Sequence, residues 1–376
     1  MIDFIPVEDV RWLAVVPILA ALIFFHELGH YLVARWCGVT VETFSIGFGR
    51  EITGWTDRAG TRWRIAWIPI GGYVKFAGDQ NAASAPDHDA IDSNDPAIFH
   101  NKPLWQRAAV VFAGPAANFL LAIAIFAVLF ISLGQPHTPA RVDRVIEGGA
   151  AATAGVQPND LIVEAAGESV DGFADLKRIV AINLDREMNL VVERDGRLVE
   201  LSMRPEVIEQ DDGFGRMSRM GRIGVVAVSQ QEFREVGLLS AISSAVERVW
   251  DTTGATLTAL GDMITGQRSV SELRGPAGIA HLAGEVAQFG FVSLINFAAF
   301  ISISLGLINL FPIPMLDGGH LLFYAVEAVR GKPLGEAAQE IGYRIGLGMV
   351  VTLMVVATFN DVDQFGLVDL IGGLFS

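Results

Sequence analysis

Cysteine is almost absent from the chain: Cys37 stands alone among 376 residues. A single thiol excludes an internal disulfide and a cysteine-rich zinc site, and Cys37 reads as a small apolar filler at a helix end. Charge is scarce as well. Asp, Glu, Lys and Arg make up 18% of the residues against 51% hydrophobic, too apolar a mixture for an average soluble enzyme. The charge that is there has the wrong sign for nucleic acid: 27 basic residues face 42 acidic ones, net −15, and no basic stripe exists to neutralise phosphates. The opening MIDFIPVEDVRW lacks a basic n-region, so the first apolar segment is expected to be an uncleaved anchor and not a signal peptide. Repeated halves and a second row of intramembrane carboxylates are missing too, which argues against an ion or metal transporter.

What the chain has instead is long apolar runs. Four candidate spans stand out: about Trp12 to Ala34, Ala108 to Leu133 without a charge, about Phe289 to Phe311, and about Ile345 to Phe359 between Arg344 and Asp361. The last is short for a hydrocarbon core. Basic residues cluster between the first two spans (Arg35 through Arg107) and between the last two (Arg330, Lys332, Arg344). By the positive-inside rule those loops are cytoplasmic, and both termini and the long middle segment are outside. The expected fold class is an α-helical polytopic membrane protein of about four transmembrane helices.

Between the spans the pattern changes. Val39 to Phe48, Thr61 to Pro69 and Gly71 to Phe76 have strand character, and strands at membrane depth must be buried in protein or line a wet cavity. Gln80 to Asn101 reads as a mobile loop, rich in Ala, Ser, Asp and Pro. Pro136 to Pro205 reads as a compact α+β unit with a hairpin across Asp195-Gly196. Residues about Glu209 to Arg222 look loop-like, and Glu235 to Ile264 has the apolar spacing of a helix lying on a domain or membrane interface. The division is then 1–36 (first span), 37–103 (β-rich region and loop), 104–134 (second span), 135–206 (inserted unit), 207–285 (linker and amphipathic helix), 286–320 (third span) and 321–376 (loop, fourth span and tail).

The chemistry sits in the first span. His26-Glu27-Leu28-Gly29-His30 places two imidazoles at i and i+4 on one helix face, with the glutamate about a quarter-turn away. Two neutral His nitrogens suit Zn²⁺, with the carboxylate positioned as general base. Burying three such groups at membrane depth without a metal or partners would be costly, so they mark function. A catalytic zinc usually takes three protein ligands. Pro312, Pro314, Gly318 and Gly319 break the end of the third span and leave Asp317 as the favoured third ligand, with His320 as its rival.

These residues resemble the site-2 protease family of intramembrane zinc metalloproteases (M50-type), in particular its bacterial regulator-of-sigma-E branch. The resemblance covers nearly the whole chain. It rests on the HELGH run, Phe44-Ser-Ile-Gly-Phe-Gly49, Ile70-Gly-Gly-Tyr-Val-Lys-Phe76, Ala113-Gly-Pro-Ala-Ala-Asn118, Arg274-Gly-Pro-Ala-Gly-Ile279, Asn309 through Gly318, and Phe359-Asn360-Asp361. It implies one zinc ion held by His26, His30 and Asp317, with Glu27 as catalytic base. It implies Asn309 near the substrate or the oxyanion, and a membrane-associated β-hairpin around Gly47, Phe48 and Gly49 that pairs with unwound substrate. The inserted unit is similar to the family's PDZ modules, although that branch carries two in tandem and this chain has room for one. Implied partners are the lipid bilayer and transmembrane protein substrates that another protease has already cut, an anti-sigma factor or signal-peptide remnants among them. Implied location is the bacterial inner membrane, with the PDZ-like unit on the periplasmic side and the site near the cytoplasmic side. The competing reading is a membrane-anchored PDZ scaffold with a vestigial metal site.

Overall fold

The computed structural model describes residues 15–79, 95–211, 217–228 and 232–364. The first residues of the expected first span, most of the expected mobile loop and both chain ends fall outside them. The chain divides into two compact units, one of residues 1–126, 245–257 and 269–376, the other of residues 127–244 and 258–268.

In the first unit, α1 (Val15–Trp36) is an unbroken apolar helix, and Gly38 ends it at φ +70 while Lys102 Nζ donates to the Cys37 carbonyl at 2.7 Å. Two long strands follow, β1 (Val41–Thr56) and β2 (Arg62–Phe76). They bend, so they pair with each other along two lines. Phe44 faces Trp63 on one side and Val74 on the other, and Trp55 also faces Trp63. The stretch Phe44–Ile46 is therefore central, and among the described residues no strand lies beyond Gly72–Phe76. Phe44 is fully buried, stacked on Trp63 at 4.3 Å and edge-on to Tyr31 of α1 at 5.9 Å, which fastens the sheet to the helix. After a short helical turn at Phe99–Asn101 comes α2 (Leu104–Leu133). It packs closely on α1 because Gly29 is there: a Cβ at that position would lie 2.2 Å from the Ala113 carbonyl oxygen.

The second unit holds β3 (Gln135–His137), β4 (Val142–Val145), α3 (Ala150–Thr153), β5 (Leu161–Ala165), β6 (Glu168–Ser169), α4 (Phe173–Ile182), β7 (Met188–Arg194) and β8 (Arg197–Met203). Strands β6, β5, β7 and β8 form one sheet in that order, and Ile162, Leu176, Ile179, Leu190 and Val192 fill the core beneath it. The β7–β8 turn takes φ +49 at Asp195 and +74 at Gly196, the left-handed pair that a tight hairpin requires. Where a loop was expected, β9 (Glu206–Asp211) and β10 (Met217–Arg222) pair as a hairpin. A sequence such as Met-Ser-Arg-Met-Gly-Arg has no apolar alternation to announce a strand. The unit also continues past residue 206: β11 (Val225–Ala227) pairs with β4, β12 (Glu232–Arg234) pairs with β3, and Ile223 is buried in the core. Strands of three residues are too short to show a period.

The rest is helical: α5 (Leu238–Ile264), α6 (Pro276–Ala287), α7 (Phe291–Asn309), α8 (Asp317–Arg330) and α9 (Glu336–Gln364). Exposed Leu239, Ile242, Val246, Trp250, Leu257 and Ile264 on α5 suit an apolar interface. The helix α9 has 29 residues, so the fourth span, short by its uncharged core, is long enough as a helix. Its end is pinned: the N–H groups of Gly275 and Gly278 at the start of α6 each donate to the Asp361 carboxylate at 2.9 Å, and Asn360 donates to the carbonyls of Val270 and Leu273. Among the described residues, α1, α2, α7 and α9 are long and apolar enough to cross a membrane. Trp36, Trp55, Trp67 and Trp105 stay exposed, as interfacial tryptophans do.

Candidate metal centre

The helical repeat of α1 turns His26 and His30 to one face, where their Nε2 atoms lie 3.2 Å apart. Asp317 arrives from the other end of the chain. Pro312 and Pro314 stop α7 from continuing, Met315 takes φ +89, and α8 starts at Asp317 itself. The return is tight enough that a Cβ at Gly318 would fall 2.3 Å from the carbonyl oxygens of both Leu310 and Phe311. A carboxylate in the first turn of α8 is also favoured by the helix dipole. Its Oδ2 ends 3.2 Å from His26 Nε2, and its Oδ1 3.5 Å from His30 Nε2. The three ligand atoms lie within 4.8 Å of one another. The other end of α8 is tied to α2, where Arg107 donates to both carboxylate oxygens of Glu327, at 2.6 and 3.2 Å, and lies over the Tyr324 ring.

A second layer orients the first. His30 Nδ1 lies 2.8 Å from the Val110 carbonyl oxygen, which only accepts, so Nδ1 is the protonated nitrogen and Nε2 presents its lone pair to the cluster. Gly114 of α2 leaves room for that ring. His26 Nδ1 faces the side-chain amide of Asn118 at 3.1 Å.

Two imidazole nitrogens and a carboxylate are a zinc donor set. Asp317 Oδ2 is buried without a hydrogen-bond partner, an orphan that a cation would satisfy. The residues therefore fit the group. Glu27 is buried on the adjoining face, its Cγ beside Gly72, where a Cβ would lie 3.0 Å from it and 2.8 Å from Ser45 O. Only a glycine lets β2 pass this close to the glutamate.

The structure thus brings together His26, His30 and Asp317, with Glu27 next to them. His320 lies three residues on, its ring 5.9 Å from that of Tyr343, and is not one of the three grouped ligands. Asn309 is the last residue of α7 and half-buried. Gly47, Phe48 and Gly49 lie on β1, with Phe48 stacked on Tyr73 at 6.0 Å, but it is Gly72 of β2 that touches Glu27. In the sequence Gly71-Gly72 permits a tight turn or close backbone approach and Gly114 close helix packing; close approach is what Gly72 provides, while nothing there points to Asn118. Their place in runs of small residues is the only signal, and it does not say which side chain each one faces.

The model of peptidase family M50 matches residues 14–353. The chain belongs to that family. As a member of peptidase family M50 with four membrane-length apolar helices among the described residues, it is a metalloprotease and a multi-pass membrane protein. Proteins of Agrobacterium fabrum (45% identical over 355 residues, 92% of this chain and 94% of the relative) and Rhizobium meliloti (43% over 353 residues, 92% and 94%) both carry the name "Putative zinc metalloprotease". "Metalloprotease MmpA" of Caulobacter vibrioides is 40% identical over 385 residues, covering 96% of this chain and 97% of its own.

Proposed function

We propose that this protein is an intramembrane zinc endopeptidase that cuts transmembrane segments of other membrane proteins. The observation that carries the reading is the convergence of His26, His30 and Asp317 beside buried Glu27, with the two histidines and the glutamate on a helix of membrane-spanning length and Asp317 just past the end of another. The M50 family and the zinc named in its relatives support the same metal. When bound, zinc polarises a scissile carbonyl and lowers the pKa of a water to about 7. His26, His30 and Asp317 hold the ion. Glu27 takes the proton of the attacking water and later passes it to the leaving amine.

The substrate has to unwind first, because a helix hides its carbonyls in i to i−4 hydrogen bonds. An extended segment is held by strand addition along the sheet of β1 and β2. Gly72–Phe76, which pairs on one side only among the described residues and starts beside Glu27, suits this, with Gly47, Phe48, Gly49 and Asn309 supplying nearby contacts. The inserted unit is a PDZ-like module that restricts access from the outer side. The enzyme sits in the bacterial inner membrane with both termini and this module periplasmic, and acts on proteins already shortened by another protease.

Purified full-length protein tests the reading with a detergent-solubilised transmembrane peptide and a soluble peptide of equal length. Wild type is expected to hold one zinc per chain and cut the transmembrane peptide. Glu27→Gln keeps the zinc and loses cleavage by roughly 10²-fold or more. Efficient cleavage by Glu27→Gln removes Glu27 from the base role, and exclusive cleavage of the soluble peptide removes the intramembrane assignment.

A further inference from the structure

Asn118 is fully buried at the middle of α2, and its side-chain amide meets His26 Nδ1 at 3.1 Å. The site residue it touches is a ligand through the opposite nitrogen, Nε2, which faces His30 and Asp317. The backbone of α2 is held at this point from α7: Ser302 Oγ donates to the Asn118 carbonyl at 2.8 Å, and a Cβ on Gly306 would lie 3.3 Å from the Asn118 Cβ. A polar side chain has been placed there at full burial cost.

The orientation of the amide carries the argument. With Nδ2 toward the ring, Nδ1 accepts, Nε2 carries the hydrogen, and His26 has no lone pair to offer a cation. In that orientation Asn118 Oδ1 is buried with no hydrogen-bond partner. A half-turn of the amide exchanges its oxygen and nitrogen at almost no cost in shape. The oxygen then accepts from Nδ1–H, and Nε2 is free to bind. The orphaned Oδ1 thereby finds its partner on His26 Nδ1–H.

We infer that Asn118 is a positioning residue for the metal: its Oδ1 accepts from His26 Nδ1–H and so selects the tautomer in which His26 binds zinc through Nε2. His30 is treated the same way by the Val110 carbonyl. The two histidines thus receive acceptors from the same helix, eight residues apart, one from backbone and one from side chain. The inference rests on the metal reading above.

Asn118→Leu and Asn118→Asp in the full-length protein separate orientation from packing. Leu matches the shape without an acceptor, and Asp keeps the acceptor but adds a buried charge. If Asn118 orients His26, Asn118→Leu weakens zinc binding in chelator competition by roughly 10- to 100-fold. Asn118→Asp stays near wild type. A merely structural Asn would reverse that order, the apolar isostere being tolerated and the buried carboxylate not. Equal zinc affinity for wild type and Asn118→Leu, or equal loss in both variants, overturns the inference. ¹⁵N spectra of the His26 ring in the wild-type protein give the answer without a variant: a protonated Nδ1 and a metal-shifted Nε2 are expected, and metal on Nδ1 overturns it. If wild type binds no zinc, the metal reading fails, and the inference with it. If wild type binds zinc but its affinity ignores position 118, only the inference fails.

Discussion

Gly114 of α2 lies against the imidazole of His30, so that a Cβ built on it would fall 2.2 Å from Nε2, the atom turned toward Asp317. The glycine is part of the metal site by what it leaves out. Gly114→Ala should therefore weaken zinc binding roughly tenfold or more by pushing the ring off its position. Helix stability cannot explain such a loss, because Ala is the better helix former by about 1 kcal/mol. Zinc content and thermal unfolding of the zinc-free protein, measured together, check this. Normal zinc in the variant means the ring tolerates the methyl group.

Asp317→Asn and His320→Ala distinguish the two candidate third ligands. Asp317 ends within 3.5 Å of both histidine nitrogens, whereas His320 packs near Tyr343. Asp317→Asn is expected to lose most zinc and cleavage. His320→Ala is expected to keep the metal and change activity by less than about tenfold. Zinc loss in the second variant and retention in the first would transfer the ligand role to His320.

In the inserted unit, Arg194 grips Asp160 through two hydrogen bonds of 2.8 and 2.7 Å, and Gln157 N–H adds a third at 2.8 Å. Burial pushes the Asp160 carboxyl up, but Arg194 and the Gln157 N–H outweigh it and hold the pKa below its ordinary value. A lowered folded pKa means stability that is complete above the unfolded value of about 3.9 and disappears as pH falls through the folded one. Protection of the β5 and β7 amides, their hydrogen exchange taken relative to the intrinsic rate at each pH, should thus hold to about pH 4 and fall below it. Asp160→Asn should cost about 2–3 kcal/mol at neutral pH, less than a fully buried pair because Arg194 is partly exposed. An Asn variant with unchanged exchange would show that the pair contributes little.

Deleting residues 135–234 in frame tests the proposed filter. Strands β11 and β12 set the far limit, since a deletion ending at 206 would remove β4 and β3 and leave β11 and β12 without their partners. Cleavage of a short transmembrane substrate should persist. A substrate with a large folded outer portion, rejected by the full chain, should be cut at a rate within about tenfold of the short one. Unchanged discrimination would make the unit a spacer.

Much of this was legible in the residues. The apolar runs are long enough to declare the spans, and His26-Glu27-Leu28-Gly29-His30 needs only the helical repeat to form half a metal site. Asp195-Gly196 announced its hairpin because few dipeptides accept two left-handed residues. The β9–β10 hairpin was missed because neither strand alternates apolar and polar residues, and β11 and β12 because three residues show no period.

The sequence by itself determined which residues have zinc-binding chemistry, that His26, Glu27 and His30 share an apolar helix and that Asp317 follows the break after another, since all of this depends on residue type and on spacing within one stretch of chain. Only the tertiary structure decided that Asp317, and not His320, groups with the two histidine nitrogens, that Gly72 lies against Glu27, and that Val110 and Asn118 face the two histidines. Each of these joins elements far apart in the chain, His26 to Asn118 across 92 residues. Such pairings are set by how helices pack through their small residues, and neither partner's local sequence encodes the other's position.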